Sequence, residues 1–146
     1  MPVARNPYAK QMNQYQNTKI QMAKPEELTL MLYDGAIKFT NIAIMGLENE
    51  DDLKFTTYLL KVENIIDYLN STLNMNYPVA KDFENVYNYI MKRLVEADLH
   101  RDESLEIMHE VNKHIHTMRD TWADAMKIAK GQMPAPTATQ GEAVGQ

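Results

Sequence analysis

The sequence predicts an all-α fold, an antiparallel up-and-down four-helix bundle over residues 25–130, with a mobile N-terminal segment (1–24) and a disordered C-terminal tail (131–146). Three observations carry this expectation. The six prolines stand at positions 2, 7, 25, 78, 134 and 136, so long windows run without a helix breaker. Within those windows apolar residues recur at three- and four-residue steps, and no run has the period of a strand. Connections of a few residues between long helices make sequential neighbours antiparallel.

Each element follows from local chemistry. Residues 1–24 are polar and rich in Gln and Asn, with Tyr8, Met12, Tyr15 and Met22 forming a thin apolar line, too weak to hold a helix alone. Pro25 at a first-turn position, followed by Glu26 and Glu27, starts the first helix: proline has no donor to waste there, and acids suit the positive end of the helix dipole. That helix runs to about Leu47, where "ENEDD" breaks it. The second helix covers about Asp52 to Leu73 and ends at "NMNYP", the third about Val79 to Leu99. After "HRDES", with Asp102 or Ser104 as the expected N-cap, the fourth reaches about Lys130. The remainder, "GQMPAPTATQGEAVGQ", is small, Pro-rich and free of aromatic residues.

At about 100° per residue, the expected core seams are Leu28, Leu32, Gly35, Phe39, Ala43 and Gly46 on the first helix, and Phe55, Leu59, Val62, Ile66, Leu69 and Leu73 on the second. The third offers Phe83, Val86, Tyr87, Ile90, Leu94 and Ala97, and the fourth Met108, Val111, Ile115, Met118, Trp122, Ala125 and Ala129. Gly35 and Gly46 on the core arc suggest close approach of a neighbouring helix. The first helix carries more apolar residues than one seam uses. Leu30, Tyr33, Ile37 and Ile44 form a second stripe, set apart by the polar line Asp34, Lys38 and Asn41. Leu53 and Leu60 on the second helix, and Tyr89, Met91 and Val95 on the third, also lie away from the seams. A contiguous exposed apolar surface of this kind marks a partner site, and a groove between helices suits an amphipathic partner helix. Eleven methionines are compatible with an adaptable surface, and equally with gap-filling in the core.

Charge and motifs narrow the function. A net charge of −5 supplies no general field for nucleic acid or an anionic membrane, and the absence of Cys removes disulfide and thiolate chemistry. The N-terminus has no apolar signal core and no run approaches a spanning helix, which points to the cytoplasm. His109 and His114 are five apart, about 140° round a helix, and cannot share a zinc ion as an i, i+4 pair does. "EIMH" holds a single Glu-x-x-His, Glu106 with His109, where a di-iron bundle needs two and further inward Glu residues. "HRD" at positions 100–102 has none of the surroundings of a kinase loop. No catalytic residue, cofactor or metal is assigned.

"AKPEELTLMLYDGAIKF" in the first helix, "NPY" near the start, "ENIIDYLNSTLN", "YNYIMKRLVEAD" and "RDTW" in the other three together resemble the FliS family of flagellin-specific export chaperones, over roughly residues 6–130. Lys24 stands where the family pattern has a capping Ser or Thr, and Asn88, Lys92 and Asp98 where it has Asp, Arg and Asn. The resemblance implies a helical bundle that binds the disordered C-terminal segment of flagellin, prevents premature polymerisation and assists delivery to the flagellar type III export gate. The second stripe with Leu53, Leu60, Tyr89, Met91 and Val95 would then meet the client. The segment bearing Tyr8, Met12 and Tyr15 would be a lid that also contacts the gate. Arg93 is expected to hold Glu96 or Tyr89, or else to meet a client carboxylate. A structural or oligomerising bundle without a flagellin client, including a homodimer burying the same stripe, is the alternative.

Overall fold

The computed structural model describes residues 23–132: helices α1 (Pro25–Glu48), α2 (Asp52–Ser71), α3 (Ala80–Leu99) and α4 (Ser104–Ala129), with a 3-10 turn at Arg101–Glu103. Among the described residues there is no strand, and the fold is the all-α four-helix bundle the periodicity predicts. The expected lid residues Tyr8, Met12 and Tyr15 and most of the expected tail lie outside the described residues. The helices close a ring, in which α1 packs against α2 and α4, and α3 against the same two.

Helix starts show what each terminus has available. At α1 the Lys24 side chain makes no capping bond, and Pro25 with the acidic pair Glu26 and Glu27 stands in for a cap. At α2 the Asp51 carboxylate accepts from the Lys54 amide at 3.0 Å. Ser104 is not the N-cap the sequence suggested. It is the first residue of α4, fully buried, and its hydroxyl donates to the carbonyls of Ala97 and His100, tying the start of α4 to the end of α3.

The α2, α3 and α4 cores follow the sequence closely, built on Phe55, Val62, Ile66, Tyr87, Ile90, Leu94, Met108, Val111 and Ile115. At the far end of α4 the expectation fails: Trp122 is half-buried, and Ala125 and Ala129 are exposed, lining an open cleft with Tyr77, Val79 and Phe83.

Helix α1 is rotated from its expected orientation. Its fully buried residues are Tyr33, Ala36, Thr40 and Ala43, with Ile44 and Gly46 beside them, whereas Leu28, Leu32, Gly35 and Phe39 are only half-buried. At about 100° per residue, Ala36 and Thr40 fall between the two expected stripes on the side away from Asp34, Lys38 and Asn41. The stripes are therefore two flanks of one wide arc. Small residues at its centre let the helix sink between two neighbours, and the Thr40 hydroxyl needs no outside partner because it donates to the Ala36 carbonyl at 2.7 Å. Tyr33 and Ile44 are thus core, not surface. The buried Tyr33 and Tyr87 hydroxyls bond to each other, which offsets the cost of desolvating them, and burial raises the Tyr33 pKa far above its ordinary value.

The two glycines of α1 differ. A Cβ at Gly46 would stand 2.8 Å from the Phe55 backbone nitrogen and 3.1 Å from the Asp51 carbonyl oxygen, so α1 and α2 touch there backbone to backbone. A Cβ at Gly35 would meet only the Ile65 side chain, at an ordinary 3.6 Å. Close approach is the role of Gly46 alone.

Candidate partner-binding surface

The expected partner-facing residues scatter. Tyr33 and Ile44 are in the core, Ile37 and Met91 are half-buried against it, and Leu30 is half-buried. Leu53 (75%), Leu60 (57%), Val95 (46%) and Tyr89 (41%) are exposed. Val95 and Tyr89 do not share a face, since six residues rotate them about 120° apart on α3. Val95 lies seven residues beyond Asn88, whose side chain accepts from Asn70 of α2, so it stands on the α2 side with Leu60. Leu99, 70% exposed and unremarked in the sequence, extends that side. Tyr89 turns to α4.

The seams between helices are better told apart by their polar contacts. Between α1 and α4, Arg119 donates to Asp34 at 2.8 Å, Asn112 to Asn41 at 2.9 Å, and the Trp122 indole N–H to the Glu26 carbonyl at 3.0 Å. Between α3 and α4, Glu110 accepts from Arg93 at 2.7 Å and from Tyr89 at 2.8 Å, while Arg93 also donates to Glu96 at 3.1 Å. The Arg93 hydrogen bond holds the Glu110 carboxyl below its usual range. Arg93 is therefore a clasp between helices, and its main partner, Glu110, was absent from the sequence expectation. Between α2 and α3 stands the Asn70–Asn88 bond, and Arg101 at the foot of α3 pairs with Asp52 at 3.0 Å while lying over the Phe55 ring. The "HRD" tripeptide thus fastens a connection.

Among the described residues, α1 and α2 share no side-chain hydrogen bond and no ion pair. Outside the shared core, their contacts include the backbone approach at Gly46, the tilted pair Phe39–Tyr58 at 5.7 Å, Ile65 beside Gly35, and the Lys61 ammonium 5.6 Å from the Phe39 ring centre and 5.8 Å from that of Tyr58. Along this seam Leu28, Met31, Phe39, Ile42, Tyr58 and Ile65 are half-buried, and Met45 and Tyr68 are about half exposed. The residues that sequence reasoning placed inside, Leu28 and Phe39, belong to this outer strip; those it placed outside, Tyr33 and Ile44, are inside.

The α2–α3 face has a different character. Glu63 on α2 has its pKa raised by burial first and by the charge of Asp98 on α3 second. At the opposite end of the bundle a cleft of about 560 Å³ is walled by Tyr77, Val79, Phe83, Trp122, Ala125 and Met126. Among the described residues no three His, Asp or Glu side chains gather as a metal site, and His114 lies against the Tyr89 ring and Glu110 while His109 is exposed. No described helix is long and apolar enough to cross a membrane. What the surface offers is apolar area with cationic edges, suited to holding an amphipathic segment.

The family profile described as "Flagellar protein FliS" matches residues 8–129. A Bacillus subtilis protein named "Flagellar secretion chaperone FliS" is 37% identical over 122 residues, which is 84% of this chain and 87% of the relative. A Salmonella typhimurium protein of the same name is 29% identical over 106 residues, 70% of this chain and 77% of the relative.

Proposed function

The chain belongs to the FliS family of flagellar proteins, and on that premise we propose that it is a cytoplasmic export chaperone, without catalytic activity, that holds the C-terminal segment of flagellin, prevents its premature polymerisation and helps deliver it to the export gate. The observation that supports this most is the α1–α2 seam, the one interhelical seam without a polar clasp among the described residues, with half-buried Phe39, Ile42, Tyr58 and Ile65 along it. A disordered client loses conformational freedom when it binds, so it needs a large apolar contact to gain useful affinity. The seam supplies one such area. Leu53, Leu60 and Val95 on the neighbouring face supply another, with the edges of Leu30, Ile37 and Met91 and the exposed ring of Tyr89 as lesser contacts. Residues 1–24 are proposed as a lid whose Tyr8, Met12 and Tyr15 also meet the export gate. Deleting residues 2–22 should then preserve or tighten flagellin binding while weakening gate binding.

The test of the function is co-purification with flagellin, full length against C-terminally truncated. Full-length flagellin should be retained and the truncated form lost. Retention of both forms, or of neither, contradicts the reading, and a client-free dimer of defined mass would favour the oligomerising bundle instead.

A further inference from the structure

The open seam carries a charge pattern as well as apolar area. Helices α1 and α2 meet antiparallel, with Gly35 opposite Ile65, Phe39 opposite Tyr58 and Lys61, and Gly46 opposite Phe55. On the solvent edge of α1, Met31, Lys38 and Met45 follow one another at seven-residue steps, nearly in line along the helix; on the edge of α2, Lys54, Lys61 and Tyr68 do the same. The register sets Met31 level with Tyr68, Lys38 level with Lys61, and Met45 level with Lys54. The strip thus has an apolar end at Met31 and Tyr68, the pair Lys38 and Lys61 across its middle, with Lys61 over the Phe39 and Tyr58 rings, and Lys54 beside Met45 at the other end. Lys38, Lys54 and Lys61, like most described lysines, make no ion pair among the described residues. The acid nearest the middle, Asp34, one turn before Lys38, is taken up by Arg119 of α4, and the others stand towards the ends, at Glu27 and in the connector from Glu48 to Asp52, where Asp51 is engaged in capping α2. A chain whose net charge is −5 thus carries a cationic middle on the one seam that is unclasped among the described residues.

We propose that this strip selects an acidic amphipathic helix: apolar side chains of the partner lie over Phe39, Ile42, Tyr58 and Ile65, and a partner carboxylate sits between Lys38 and Lys61. The charge complementarity governs choice of partner and rate of encounter more than total affinity, which comes from the apolar floor. Lys61, already held against two rings, presents its ammonium at low conformational cost. This inference rests on the proposed client role of the seam and adds the chemistry of what it accepts.

The test uses the full chain and two synthetic peptides of about 18 residues, five helical turns, with identical apolar faces and either Glu or Lys on the flanks. Binding is read by titration calorimetry. The Glu peptide should bind about tenfold more tightly than the Lys peptide, with a preference that fades at high salt. In Lys38→Glu/Lys61→Glu the order should reverse, and in Lys38→Gln/Lys61→Gln the preference should vanish. A control with the same net change on α4, Lys113→Glu/Lys127→Glu, should keep the wild-type order, and circular dichroism checks that each variant is folded. Equal binding of the two peptides, binding of neither, or an order that follows net charge in the α4 control overturns the inference. If peptide selectivity holds while flagellin fails to co-purify, the flagellin reading falls and the selectivity stands; flagellin retained with no peptide selectivity is the converse.

Discussion

The two flanks of α1 solve the same packing problem by different means. Against α4 the helix is fastened by Asp34–Arg119, Asn41–Asn112 and the Trp122–Glu26 bond, all made at or near the surface. Against α2 it is fastened by contact alone, with backbones touching at Gly46 and rings meeting at Phe39 and Tyr58. A polar clasp fixes register but fills the groove it spans. A seam joined only by apolar contact leaves its outer strip accessible, so the absence of clasps on the α2 side is what keeps that strip available to a third helix.

The contrast is broken most severely at Gly46. Gly46→Ala places a Cβ against backbone that cannot swing aside, and should cost about 3 kcal/mol, read by denaturant unfolding, at the upper end of overpacking effects. Gly35→Ala meets only a side-chain methyl at an ordinary distance and should stabilise by about 1 kcal/mol through helix propensity.

A pair of isoleucines sharpens the comparison. Ile37 lies on the clasped flank against the core, so Ile37→Asp should cost about 2 kcal/mol of stability, with only a small direct loss of client binding from its exposed edge. Ile42 is half-buried on the open flank, and Ile42→Asp should weaken flagellin binding about tenfold with a smaller drop in the melting temperature. Equal melting changes in the two variants would erase the distinction between the flanks.

Trp122→Phe keeps an aromatic ring and removes the N–H that holds the Glu26 carbonyl, and about 1 kcal/mol should be lost on unfolding, with no change in client affinity.

The smallest effect comes from the α3–α4 clasp. Its Glu110 carboxyl is held down by the Arg93 hydrogen bond, so the clasp contributes fully above the unfolded-state value of about 4.3 and is lost as pH falls through the lower folded-state value. Because both side chains are partly solvated the contribution is under about 1 kcal/mol. Melting curves from about pH 6 to about pH 3 should fall more steeply for wild type than for Glu110→Gln.

Much of this architecture is legible in the sequence. Pro25, Pro78 and the short polar connectors mark the helices, and on α2, α3 and most of α4 a single apolar stripe identifies the core because each buries one face of ordinary width. Helix α1 misleads because its deepest positions, Ala36 and Thr40, are small and one is polar, so periodicity weighted by large apolar residues sees two stripes in place of one wide arc. The clasps are illegible for another reason. Asp34 with Arg119 and Arg93 with Glu110 join residues far apart in the chain, and nothing local distinguishes Glu110 from the other acids on α4. Leu53, Leu60, Tyr89 and Val95 were consequently recognised as outward, whereas the open seam was hidden among residues assigned to the core.

We propose above all that a flagellin segment docks on the α1–α2 seam. Methyl-labelled protein titrated with the flagellin C-terminal segment measures this directly. Shifts should concentrate at Ile42, Ile65, Met31 and Met45, with Ile115 and Met118 of the buried α4 face little changed. Shifts confined to the methyls of Met91 and Val95 on α3 or Met126 on α4, with the four α1–α2 methyls unmoved, would contradict it.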